Sequence, residues 1–232
     1  LNLPGRQEEL LKAVCATGKP VVLVLLDGRA SSINYAAAHV PAILHAWFPG
    51  EFCGQAVAEA LFGDYNPGGR LAVTFPKSVG QIPFAFPFKP GSDESSSTSV
   101  YGVLYPFGHG LSYTTFSYGD LKISPLRQGV QGDINISCKI KNTGKIKGDE
   151  VVQLYLRDEV SSVTTYTKVL RGFERISLEA GEEQMVHFRL RPQDLGLWDK
   201  NMNFRVEPGK FKVMIGSSST DIRLHGRFEI AP

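Results

Sequence analysis

Ile134-Asn135-Ile136-Ser137-Cys138-Lys139-Ile140-Lys141-Asn142-Thr143-Gly144 decides how the second half of this chain folds. Apolar and polar residues alternate strictly from Ile134 to Ile140, which puts one row of side chains on each face of a half-buried strand. Asn142-Thr143-Gly144 then supplies the residues that turns favour. The same period of two returns in Val152, Leu154 and Leu156, in Val186, Phe188 and Leu190, and in Phe211, Val213 and Ile215. Ala180-Gly181-Glu182, Pro208-Gly209, and Gly216 with the serines after it punctuate these runs. About seven short strands over residues 116–232 predict an immunoglobulin-like, fibronectin type III-like sandwich. Cys138 has no cysteine partner in this segment, so an antibody-type inter-sheet disulfide is excluded. Lys139, Lys141, Lys145 and Lys147, interleaved with Ile140 and Ile146, read as the wet face of strands around a turn.

Upstream, the pattern changes. Residues 77–115 carry Pro83, Pro87, Pro90 and Pro106, directly after Pro76, and prolines break regular elements. Asp93 to Ser99 is acidic and rich in serine. Such a length with little secondary structure reads as a long interdomain connection. Phe84, Phe86, Phe88, Tyr101, Tyr105 and Phe107 read as its packing anchors, with the lining of a ligand site as the alternative.

Residues 1–76 read as α/β. Gln7 to Cys15 is a helix with Leu10, Leu11 and Val14 on one side, ended by Gly18. Val21 to Leu26 is apolar at every position, as in a parallel strand covered on both faces. Ile43 to Trp47 is a second strand and Leu71 to Phe75 a third. Between them a helix opens at Pro49-Gly50-Glu51 and runs to Phe62, burying Cys53, Ala56, Val57, Ala60 and Leu61, with Gly63 as its C-terminal stop. Three strands and two or three helices are too few to cover both faces of a doubly wound sheet. The expectation is an incomplete α/β sandwich whose partners precede Leu1. The fold class is thus α/β plus all-β.

Composition excludes several functions. The 232 residues are 42% hydrophobic and 21% charged, with net charge +2, so neither disorder, nor a nucleic-acid groove, nor a polybasic membrane patch is indicated. Cys15, Cys53 and Cys138 form no C-x-x-C, which argues against structural zinc; Cys15 and Cys53 read as buried thiols. The apolar run Val21 to Leu26 is too short to span a bilayer, and no signal peptide is visible after Leu1.

No catalytic constellation emerges either. There is no G-x-S-x-G elbow. Gly108-His109-Gly110-Leu111-Ser112-Tyr113 lacks the third glycine and the following helix of a phosphate loop. Histidines 39, 45, 109, 187 and 225 lack metal-ligand spacing, with His187 and His225 at exposed or edge positions of strands. Asp64-Tyr65-Asn66 begins like a calcium loop that is not continued. Glu51 is the most conspicuous carboxylate, and a place in the first turn of a helix explains it by the dipole.

Long blocks, in order, resemble glycoside hydrolase family 3. They are Leu1 to Leu10, Trp47-Phe48-Pro49-Gly50-Glu51, Ala58 to Leu71, Thr74-Phe75-Pro76 and Tyr105 to Thr114. Asn142-Thr143-Gly144, Leu170-Arg171-Gly172-Phe173 and Glu207-Pro208-Gly209 follow. Val79 to Pro83 and Gly102 to Tyr105 are most similar to the bacterial periplasmic β-glucosidase branch. The resemblance implies a retaining enzyme that removes terminal β-D-glucosyl residues by way of a covalent glycosyl-enzyme. It implies an aspartate nucleophile on a preceding barrel and a glutamate acid/base on a loop of the α/β sandwich, upstream of Leu1. No catalytic residue is therefore expected in this chain, and Glu8 and Glu9 belong to the helix after that loop. The same resemblance implies no cofactor, no metal, no nucleic-acid or membrane partner, and a periplasmic or secreted enzyme. Its partners are the missing barrel, the rest of the α/β sandwich and a small oligosaccharide or glycoside, with oligomerisation left open. Residues 84–109 would approach the active-site rim, but no substrate-binding residue is singled out. β-Xylosidase, β-galactosidase or α-L-arabinofuranosidase specificity stays open. So does a non-catalytic carbohydrate-binding module, against which Trp198 is the only tryptophan of the sandwich.

Overall fold

A computed structural model describes residues 1–92 and 100–232. The acidic, serine-rich stretch 93–99 lies outside the described residues. The chain forms two compact units. The first comprises Leu1–Tyr65, Val73–Phe86 and the described part of Glu94–Pro106. The second comprises Asn66–Ala72, the described part of Pro87–Asp93, and Phe107–Pro232.

In the first unit, α1 (Gln7–Cys15), β1 (Val22–Leu25), α2 (Asn34–His39), β2 (Ala42–His45) and α3 (Cys53–Phe62) follow in order. Acids in the first turn of α1 (Glu8, Glu9) and Lys12 in its last turn complement the helix dipole, and the Lys12–Glu8 pair spans one turn at 2.6 Å. Gly18 turns the chain away at φ 71°. β1 and β2 pair in parallel, Val22 opposite Ala42 through Leu25 opposite His45. A small core of Leu11, Leu25, Ile33, Ala36 and Val40 fills the space between strands and helices.

Several expectations change here. Leu71 to Phe75 is not a third parallel strand. It bonds instead to the returning segment 105–109: Leu71 N donates to His109 O at 2.8 Å, Gly108 N to Leu71 O at 2.7 Å, and Phe75 N to Tyr105 O at 2.9 Å. The returning segment, antiparallel at Phe75–Tyr105, takes up the backbone groups that a parallel neighbour would need. β2 stops at His45, because Trp47 adopts φ 54° and leaves the strand region. α3 begins at Cys53, so Glu51 precedes the helix and is no first-turn residue. Gly63 ends α3 in the left-handed region, as expected. Ala60 is buried and Cys53 and Val57 are half-buried, but Ala56 and Leu61 face outward. Leu10, Val22, Leu26, Phe48, Phe52 and Phe62 are also exposed, Phe48 at 79% and Phe62 at 84%. Cys15 is half-buried rather than buried. Residues 77–92 hold only one 3-10 turn, Val79–Gln81, capped by Ser78.

The second unit is a sandwich. Its elements are β3 (Phe116–Ser124), β4 (Arg127–Gly129), β5 (Ile134–Asn142), β6 (Gly148–Asp158), β7 (Val169–Leu178), β8 (Glu183–Leu190), α4 (Pro192–Leu195), β9 (Leu197–Trp198), β10 (Phe204–Arg205), β11 (Gly209–Gly216) and β12 (Ile222–Ala231). One sheet has the order β4-β12-β11-β6-β7 and the other β3-β5-β8. β9 and β10 form a separate short hairpin. Of the seven long strands, β5, β6, β8 and β11 are those the alternation marks. Ile134, Ile136, Cys138 and Ile140 from one sheet meet Val152, Leu154, Leu156, Phe211, Val213 and Ile215 from the other in a sealed core. Burial pushes the Cys138 thiol up to about 11, as for an inert apolar cysteine. Lys139 and Lys141 lie on the wet face, where Lys139 pairs with Asp120 and Glu183. Ile146 is exposed in the turn.

Candidate functional site

In α/β units, ligands gather beyond the carboxyl ends of parallel strands. In the first unit those ends hold Asp27, after β1, and His45, the last residue of β2. His45 Nε2 lies 2.8 Å from Asp27 Oδ1, and Ser31 Oγ donates to Asp27 Oδ2 at 2.9 Å. The His45 side chain is only 9% exposed and Asp27 24%. The carboxylate selects the tautomer that carries hydrogen on Nε2. Nδ1 then faces an interior without a hydrogen-bond partner among the described residues. Its walls are aromatic: Trp47 lies edge-on at 4.3 Å and Phe75 at 5.2 Å between ring centroids, and Tyr105 packs on Phe75 at 6.0 Å. The left-handed backbone at Trp47 folds that ring back over His45, a strained conformation for a bulky residue.

The order of groups limits the chemistry. A hydrolytic triad places histidine between the nucleophile and the acid. Here aspartate lies between serine and histidine, so the hydroxyl is tied to a carboxylate rather than to a base. The arrangement orients an imidazole and creates no nucleophile.

Glu8 and Glu9 occupy α1, paired with Lys12 and with Arg6 at 2.7 Å. Glu51 is exposed in the turn before α3. None of the three approaches the Asp27–His45 pair in any recorded hydrogen bond or ion pair.

A second buried polar cluster lies in the second unit. Arg70 Nη2 donates to both carboxylate oxygens of Glu150 at 3.2 Å, and Tyr118 Oη donates to Glu150 Oε1 at 3.0 Å. The Arg70 and Glu150 side chains are 7% and 4% exposed. The Arg223 guanidinium stacks over the Tyr118 ring at 4.8 Å. Burial and the adjacent Glu150 carboxylate raise the Tyr118 phenol far above its ordinary value, so it stays a donor. Arg70 Nη1 also donates to Gly68 O and Gly69 O. Gly110 packs on this turn so closely that a Cβ would lie 2.3 Å from Gly69 O. The Gly108-His109-Gly110 segment thus clasps Arg70 and holds no phosphate loop. Burial, then the Arg70 charge, holds His109 below the usual imidazole range. Asn66, part of the apparent calcium loop, is a joint: its amide donates to Lys147 O, and its carbonyl accepts from Ser112 Oγ and Tyr113 N. Among the described residues no group of three or more His, Cys, Asp or Glu could hold a metal.

Sequence reading missed both clusters. Glu150 left a signal: it shares the parity of Val152, Leu154 and Leu156, so a carboxylate had to face the core. The Asp27–His45 pair left none, because which residues meet beyond two strands depends on pairing register.

The glycosyl hydrolase family 3 C-terminal domain model matches residues 1–113, and the fibronectin type III-like domain model matches residues 150–219. A β-xylosidase of Formosa agariphila is 45% identical over 94% of this chain and 31% of its own length. A periplasmic β-glucosidase of Salmonella typhimurium is 40% identical over 99% of this chain and 31% of its own. The solved β-glucosidase of Erythrobacter marinus superposes with TM-score 0.95 and 42% identity over 100% of this chain and 31% of that one. A Listeria innocua β-glucosidase bound to glucose superposes with TM-score 0.92 and 33% identity, covering 34% of that chain. An α/β unit followed by a fibronectin-like sandwich defines the class as the C-terminal domain of glycosyl hydrolase family 3 joined to a fibronectin type III-like domain. The chain belongs to glycoside hydrolase family 3. It spans about a third of the length of the curated relatives it matches.

Proposed function

We propose that this chain supports catalysis in a retaining glycosidase that removes terminal β-D-glucosyl residues, and that both catalytic carboxyl groups come from outside it. The observation that carries this reading is the match to solved β-glucosidases across both units, at TM-score 0.95 over 100% of the chain. The exposed apolar surface of the first unit, which the remainder of the α/β domain would cover, agrees with it. β-Xylosidase specificity is the second reading, favoured by the 45% identity to the Formosa β-xylosidase. Segment boundaries follow the same reading: 1–76 completes the α/β domain, 77–115 connects, and 116–232 is the fibronectin-like module. A periplasmic location rests on the name of one relative.

Nitrophenyl β-D-glucoside and β-D-xyloside, offered to the full-length protein and to this chain alone, test the proposal. The full-length protein should turn over the glucoside faster, and the chain alone neither. Hydrolysis by the isolated chain would refute the placement of the carboxylates. Preference for the xyloside would transfer the assignment to the second reading.

A further inference from the structure

The outer face of the five-stranded sheet carries a row of like charges. Arg157 on β6 is the cross-strand partner of Lys212 on β11, and Lys212 is in turn the partner of Arg227 on β12. The side chains that alternate with them, Phe211, Val213 and Phe228, enter the core, so all three cations point outward. Neighbouring strands lie about 4.8 Å apart, so the row places three positive groups across about 10 Å.

Like charges directly opposite each other destabilise a sheet. Elsewhere the ladders avoid this. Lys141 faces Glu183, Lys210 faces Glu229, and Glu229 also faces Arg127. Among the described residues no other ladder partners carry like charges. Only Arg227 has a recorded counter-ion, Glu159 at 2.9 Å. Arg157 and Lys212 have no recorded ion pair among the described residues. Lys212, His225, Gly226 and Arg227 line an open depression of about 340 Å³ beside the row. The repulsion across Arg157, Lys212 and Arg227 costs the fold stability.

We propose that the Arg157–Lys212–Arg227 row binds an acidic polysaccharide, taking its repeated carboxylate or sulfate groups on successive strands. The site holds the polymer against the sandwich while the glycosidase works on chain ends, so its biological sense rests on the function proposed above. The chemistry selects this ligand class. Cations repeating at strand spacing meet charges repeating once per sugar unit. A nucleic acid would call for exposed aromatic rings to stack its bases. The outward neighbours here are Met214 and Tyr155, both buried, and His225. A membrane surface would call for an amphipathic helix beside the charges, and this face is all strand.

The test is affinity electrophoresis of the full-length protein in gels containing polygalacturonate, a sulfated galactan, or a neutral glucan, over a series of salt concentrations. Retardation by either acidic polymer and not by the neutral one is expected, weakening as salt rises. The two acidic arms distinguish carboxylate from sulfate. The double variant Arg157→Glu/Lys212→Glu should bind at least tenfold more weakly. It should keep its aryl-glycoside turnover, and its melting temperature should hold or rise, since repulsion is relieved. Lys200→Glu, an equal change of charge per site elsewhere, should bind like the parent. No retardation at low salt would overturn the proposal, as would equal retardation of parent and double variant. Equal affinity for duplex DNA or for phosphatidylglycerol vesicles would also overturn it, by reducing the site to general polyanion attraction. Binding without aryl-glycoside turnover would leave this site standing and remove the proposed activity.

Discussion

The two units of this chain bury their apolar residues very differently. The sandwich closes a continuous core in which Ile134, Cys138, Ile140, Val152, Leu154 and Ile215 are fully sealed. The α/β unit gathers only five buried residues into its core cluster and leaves Leu10, Leu26, Phe48, Phe52 and Phe62 in the open. Buried apolar area stabilises at roughly 25 cal/mol per Å², so the difference in sealing is a difference in self-sufficiency. Two facing sheets satisfy their own inner surfaces. A two-stranded parallel sheet with three helices does not, and leaves these side chains uncovered.

The sharpest way to break this contrast is through the buried ion pair of the sandwich. Arg70→Ala leaves Glu150 charged and buried, and should destabilise the second unit by about 3–5 kcal/mol. Arg70→Met combined with Glu150→Leu should recover most of that loss in urea titrations. Next comes a matched pair of truncations. Leu154→Ala in the sealed core should cost about 2–5 kcal/mol, whereas Leu11→Ala, at the margin of the smaller core, should cost less than half as much. Equal losses in thermal melts would mean that the first unit is as tightly packed as the second. Native-state hydrogen exchange sharpens the same point: amides of β6 and β11 should exchange through global unfolding and those of β1 through local opening. Gly108→Ala should cost about 1–3 kcal/mol, because its φ is 82° and a Cβ would meet the buried Gln153 side chain.

The smallest effect is a pH dependence. Partial burial, with Glu207 nearby, raises the Asp158 carboxyl to about 6. The folded state then holds its proton more tightly than the unfolded chain, so stability is greatest below the ordinary carboxylate range and falls as pH rises toward 6. Solvent reaches this group, so the loss should be on the order of 1 kcal/mol after screening. Asp158→Asn should flatten the stability profile between about pH 4 and 6. An unchanged slope would place the titration elsewhere.

The contrast also explains what the sequence revealed. Strict alternation in Ile134–Ile140 and Val152–Leu156 is written by a core that the chain itself supplies, so the strands were legible. The helix Gln7–Cys15 was legible from its period and its charges. Leu71–Phe75 misled, because an apolar run does not state whether its partner is a parallel strand or a returning loop. Leu10 and Leu61 misled for another reason: helical period marks an apolar stripe, but both side chains face outward in this unit. The Arg70–Glu150 pair was half legible, through the parity of Glu150. Its partner, 80 residues away, was not.

That separation has a consequence for how the protein is made and inherited. Residues 66–72 belong to the sandwich, yet they are bordered on both sides in sequence by the α/β unit. On the ribosome Arg70 emerges long before the strand that carries Glu150, and must wait unpaired until the sandwich assembles. The fibronectin-like module is therefore no cassette. A gene fusion that transplants residues 116–232 leaves Arg70 and its glycine clasp behind, and Glu150 arrives in its new host buried without a cation.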